Sequence, residues 1–236
     1  MYTLNDVREV LTTTGRLLTF QDAVPDVKRL GPLYFGIGLI YAWIAGIGRY
    51  WDNPRAEPWQ YLGLGSVAYV FFMALLIWLL LMPLQPKNWH YRNVLIFVAM
   101  TAPPAILYAI PVERFMSLPN AQMVNVWFLA IVALWRVLLL GRFLRRAAGL
   151  GSLQMVVGLL LPITLVIVVL TLLNLEHVVF DIMAGIAPDE QSANDAVYSV
   201  LFVITFFSMF TLPVLFVAYL GLAFSSVYQR RVKDPQ

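Results

Sequence analysis

Glu176, His177 and Asp181 form the most suggestive group of chemically capable side chains in this sequence. On a helix, His177 and Asp181 are four apart and share a face, where an imidazole and a carboxylate can bind a divalent cation or relay a proton. A metal centre normally recruits three or four ligands, and nothing nearby supplies the others at a recognisable spacing. Cysteine is absent, so there is no thiolate ligand, no cysteine nucleophile and no disulfide framework. The plainer reading is a solvated acidic loop. Residues 174–196 hold six ionisable side chains, none of them Lys or Arg, and that composition favours the plainer reading.

Arg136 is the other candidate, because it stands alone inside a long apolar stretch, where an ionisable group is a functional candidate by default. It lies less than two turns before Arg142, so the sequence predicts that its long side chain snorkels to the nearer interface and anchors the helix. Asn125 and Asn174 fall near the ends of apolar stretches, where hydrogen bonds between helices or to headgroups account for them. No phosphate-cradling Walker loop, no G-x-S-x-G elbow and no H-E-x-x-H helix occurs. Catalysis is therefore disfavoured, and no cofactor is expected.

The elements that must position these residues are set by charge. Six windows of at least 19 residues contain no Asp, Glu, Lys or Arg: 30–48, 58–86, 93–112, 115–135, 147–175 and 196–229. About 20 apolar residues cross the hydrocarbon core as a helix. In lipid every backbone polar group must be paired within the protein, and continuous rather than alternating apolar runs select helices over barrel strands. With 61% hydrophobic and 12% charged residues, the chain departs far from the soluble norm of about 25% charged. The expected class is all-α, a polytopic membrane helical bundle with six transmembrane helices near 31–48, 61–83, 93–111, 122–141, 153–173 and 197–226. These make one membrane domain over 31–229, after an N-terminal segment 1–30 and before a tail 230–236.

Orientation follows from Lys and Arg. With a cytoplasmic N-terminus, twelve of the sixteen lie on cytoplasmic segments and only Arg49, Arg55 and Arg114 on the other side, with Arg136 within a span. Both termini are expected in the cytoplasm, which places His90 and His177 on opposite faces. The dispersed basic residues do not suggest nucleic acid. Leu4, Val7, Leu11 and Leu18 fall on one helical arc, predicting an interfacial helix before the first span, with Thr12–Gly15 weakening it.

Within the spans, Gly38, Ala42 and Gly46 recur every fourth residue and predict a smooth groove for close helix packing, inside the bundle rather than between molecules. Kinks are expected at Pro103, Pro104, Pro162 and Pro213. At the Pro103–Pro104 pair the freed carbonyls need new partners, with Thr101 and Tyr108 at hand. The prolines do not sit at equivalent positions of two halves, so no inverted repeat is indicated.

The stretch FVAMTAPPAILYAIPVE, Phe97 to Glu113, resembles the proline-bearing span of bacterial Yip1-like membrane proteins, and VWFLAIVALWRVLLLGRFLRRAAGLG, Val126 to Gly151, resembles the span that follows it. The resemblance covers roughly residues 95–175; six expected spans where such proteins usually have five, and a distinct loop before the last, depart from it. It implies a helical membrane protein without established catalysis, and no functional residue can be carried over. The expected role is an accessory or scaffold subunit of a membrane assembly in the bacterial inner membrane, in contact with the lipid bilayer and with a membrane-protein partner or a second copy. A small transporter or channel opening along the proline kinks is the second expectation. A membrane enzyme acting on lipid at the outer face through His177 is the third.

Overall fold

The computed structural model describes residues 2–50, 57–175 and 195–233; Glu176, His177 and Asp181 lie outside the described residues. Among the described residues every regular element is helical. In chain order these are α1 (Leu4–Leu18), α2 (Val27–Tyr50), α3 (Pro58–Tyr61), α4 (Leu64–Leu81), α5 (Tyr91–Met100) with the 3₁₀ helix Pro103–Ala109, α6 (Leu118–Arg146), α7 (Ser152–Leu172) and α8 (Asp195–Lys233). Five of them, α2, α4, α6, α7 and α8, are long and apolar enough to cross a membrane alone. The protein is an integral membrane protein of the all-helical class. Its helices group into two compact units, one of residues 1–78, 90–116 and 130–139, the other of 79–89, 117–129 and 140–236.

A sixth crossing is made by α5 and the 3₁₀ helix, which are bent by 44° at Thr101–Ala102. Pro103 and Pro104 carry no N–H, so two successive helical donors are missing. The chain answers by tightening: the Ala102 amide bonds the Ala99 carbonyl, and the Ala105 amide bonds the Ala102 carbonyl. A 3₁₀ helix rises about 2.0 Å per residue against about 1.5 Å in an α-helix, so the broken pair still reaches close to the ~30 Å of a hydrocarbon core.

Glycines show that this pair is a crossing and not a re-entrant hairpin. A Cβ on Gly31 would meet the Arg92 guanidinium and Ile96, one on Gly38 the Ala99 carbonyl, and one on Gly48 Ala109. Arg92, Ala99 and Ala109 each follow their glycine by 61 positions. The two segments therefore run side by side in the same direction and in one register along the whole of α2. Gly46 serves another neighbour, the turn before α4, where a Cβ would meet Ser66 Oγ and Gly63. Ala42 is buried between these contacts. The small-residue face thus packs within its own unit.

α1 runs straight through Thr12–Gly15. It opens on a capping box in which the Thr3 hydroxyl accepts from the Asp6 amide and the Asp6 carboxylate accepts from the Thr3 amide. Leu4 and Leu11 face outward, while a second arc docks: Val10 is buried with Leu30, Tyr34, Ile96 and Met100, and Leu17 packs against that cluster. At its C-terminal end the Leu18 carbonyl accepts from the Trp135 indole at 2.8 Å. Trp135 stands eleven residues from the end of α6, or about 16 Å along it. The end of α1 is thus fastened to the side of α6.

In the second unit, Val157 and Leu161 of α7 pack on Leu215 of α8, and Gln154 Nε2 donates to Ser226 Oγ at 3.0 Å. Between α6 and α7, Gly149 takes a left-handed conformation, φ +65°, that lets the Leu150 amide reach back to the Leu144 carbonyl. α7 and α8 continue through Pro162 and Pro213 without a break, each proline removing one helical donor where the Pro103–Pro104 pair removes two in succession.

Candidate functional site

Arg136 does not turn toward Arg142. A Cα–Cβ bond leans toward the N-terminus of its helix, so the side chain of Arg136 starts out away from the basic end of α6 and from the interface it was expected to reach. Its Nε donates to the Thr101 carbonyl at 3.2 Å. That carbonyl is free because Ala105, its ordinary helical donor, bonds Ala102 instead. The proline pair and the arginine, 35 positions apart, thus satisfy each other. A charge within a span costs about 2.5–3.5 kcal/mol on insertion scales, and one charge-assisted hydrogen bond returns roughly 1.5–3 kcal/mol of it.

Aromatic rings supply more. The Arg136 guanidinium lies 5.7 Å from the centroid of the Tyr69 ring, and the Arg49 guanidinium stacks at 4.4 Å over Tyr108. A desolvated cation–π contact is worth up to about 2 kcal/mol. Arg49 is the next-to-last residue of α2, and its Cα–Cβ bond likewise leans toward the N-terminus of its own helix, back into the span. α2 and α6 are the first and fourth crossings and run in opposite senses, so the two side chains converge. Arg49 also shares a side-chain hydrogen bond with Tyr50 and feels the charge of Arg136. Tyr108 lies within electrostatic reach of both guanidiniums.

These six residues, Arg49, Tyr50, Tyr69, Thr101, Tyr108 and Arg136, all belong to the first unit. Sequence reading placed Arg136 on the page but assigned its side chain the wrong direction, and it counted Arg49 as a loop charge. The signal for both was the direction of the side chain relative to its helix. Among the described residues no carboxylate forms an ion pair with either arginine. Arg29, by contrast, joins Asp6 at 2.6 Å, Glu9 at 2.5 Å and Asp26 at 3.4 Å and so ties α1 to the start of α2.

Two of those carboxylates are held below their ordinary range. For Asp6 the largest cause is the hydrogen bond from the Thr3 amide, and for Asp26 the one from the Arg29 amide, with Arg29 itself adding to both. A carboxylate lowered in the folded state stabilises that state above its unfolded pKa, and the contribution is lost as pH falls through the folded value. The docking of α1 is therefore expected to hold constant from neutral pH down to the ordinary carboxylate range and to weaken below it. Hydrogen exchange of the amides of residues 4–18 in detergent measures this. Equal protection at neutral pH and well below the carboxylate range would remove the ion network from the account.

Compared with family models, with curated proteins and with solved structures, the chain matches none of them.

Proposed function

We propose that this integral membrane protein is an accessory or scaffold subunit of a membrane assembly, and that its contact with the neighbouring subunit is made by α8. The observation that carries this reading is the burial of that helix. Only 11% of its membrane window, Phe202–Tyr228, is buried in the chain, against 39% for α2. On its open side stand Val214, Val217 and Phe224, and at their centre Gly221 has no atom within 4 Å of where a Cβ would be. Ser225, one turn on, is exposed as well. Small residues four apart let a second helix approach closely, and in lipid such packing is a main source of helix association. The occupant is an apolar transmembrane helix with a small residue of its own at the crossing. The resemblance to Yip1-like proteins points the same way.

Gly221→Leu fills open space, so the fold is expected to stay intact while association falls by roughly tenfold, the scale of one to two kcal/mol for a helix contact in a membrane. Blue-native gels and crosslinking in mild detergent read the result and separate a second copy from a different partner. A wild-type chain that runs as a lone monomer in membranes would end this reading. The same reading places both termini in the cytoplasm of a bacterial inner membrane, on the bias of twelve basic residues to three. Because the chain has no native cysteine, single cysteines at Asn88 and Phe115 report their own sides by labelling.

A small transporter is the second reading. It is favoured by the broken crossing at Pro103–Pro104, with a cation bound at the break. Flux in proteoliposomes that Arg136→Gln abolishes would support it, and wild-type proteoliposomes with no flux would dismiss it.

A further inference from the structure

We propose that Arg49 and Arg136 form a binding site for a phosphate group, with Tyr69 and Tyr108 as its walls. The site is distinct from the α8 surface and does not depend on it.

The Arg49 guanidinium lies over the Tyr108 ring and that of Arg136 beside the Tyr69 ring, within apolar helices and within electrostatic reach of each other. Like charges held together in a poorly screened setting repel, and the repulsion is relieved by an anion between them. The described contacts of Arg136 use one of its five N–H donors, the Nε bonded to Thr101. Its terminal nitrogens remain for a ligand. The Arg49 guanidinium lies over Tyr108 and bonds Tyr50, which uses part of its five N–H donors and leaves the others for a ligand.

Two guanidinium forks favour phosphate: a carboxylate has lone pairs for two forks but only in its own plane, whereas a tetrahedral phosphate presents oxygens on several sides. Arg49 sits at the end of α2 and Arg136 farther in, so the phosphate enters from the Arg49 end. Two sources share this chemistry, a phospholipid headgroup and a free phosphate.

The test uses the full chain purified in a phosphate-free glycosidic detergent. Thermal unfolding and native mass spectrometry are recorded with phosphatidylglycerol, with diacylglycerol of the same chains, with inorganic phosphate, and with sodium chloride at matched ionic strength. Stabilisation by phosphatidylglycerol but not by diacylglycerol or inorganic phosphate assigns the site to lipid. Stabilisation by inorganic phosphate assigns it to a soluble phosphate. In either case Arg49→Gln is expected to weaken binding by about tenfold or more, and Arg49→Lys by less, since lysine keeps the charge and loses the fork. Arg49→Gln leaves the Thr101 bond in place, so it reports on binding where Arg136→Gln would also disturb the bend. No shift with either phosphate beyond that of sodium chloride, or full binding by Arg49→Gln, overturns the proposal. Asp52→Asn and Glu113→Gln are expected to leave binding within about twofold or to tighten it. Either one destabilising the protein as much as Arg49→Gln does would show the arginines paired with the protein's own carboxylates and would overturn it too.

Discussion

Gly38→Val is expected to lower the stability of the purified protein by about 2–3 kcal/mol. The reason is what the new atoms would strike. A Cβ on Gly38 overlaps the carbonyl group of Ala99, which is backbone within α5 and cannot rotate aside as a side chain end can. Overpacking against a flexible neighbour costs about 1–3 kcal/mol; against main chain the two helices must separate, and the contacts at Gly31 and Gly48 loosen with them. Gly36 is the control, because nothing lies within 4 Å of a Cβ there. Gly36→Val is expected to change stability by less than about 1 kcal/mol. Equilibrium unfolding in mixed micelles compares the two, and equal losses would mean that the close approach at Ala99 contributes nothing special.

The second large effect concerns the bend. Arg136→Leu removes the donor that holds the Thr101 carbonyl and is expected to cost about 2 kcal/mol, the scale of a buried polar group left unpaired. In a chain carrying Pro103→Ala and Pro104→Ala the helix can run on, the Ala105 amide can return to Thr101, and the carbonyl no longer needs the arginine. The cost of Arg136→Leu in that background is expected to fall below half its wild-type value, and the shift in a double-mutant cycle to reach about 1 kcal/mol. Additive effects would show that the proline pair and the arginine are independent, and the bend would then need another explanation.

The crossings were legible because charge-free windows state them directly: each of the six windows contains most of a spanning element. The broken span was legible too, since Pro103 and Pro104 are adjacent and no helix can supply two missing donors. Pro162 and Pro213 each stand alone, and the loss of one donor leaves α7 and α8 unbroken. The docking of α1 was less legible: of its apolar arc, Leu4 and Leu11 are exposed and Val7 and Leu18 half-buried, while the packed positions Val10, Thr14 and Leu17 include a polar residue. The site was half visible. Arg136 stands out as a charge among apolar residues, but its partner is a carbonyl, and every residue has one. Thr101 was at hand in the sequence for its hydroxyl, which bonds the Val98 carbonyl; only the pairing of a mid-span donor with the carbonyls below a double proline could have singled out its own carbonyl.

The constant offset between α2 and the broken crossing makes the pair a vernier in which every mark is read at once. Deleting one residue between Gly31 and Gly48 would turn the remainder of α2 by about 100° and carry the later glycines off their marks together. Connections between spans, such as the turn Gln85–His90, lie outside this register. Insertions and deletions in relatives of this chain should therefore collect in those connections, while the two rods keep their lengths to the residue.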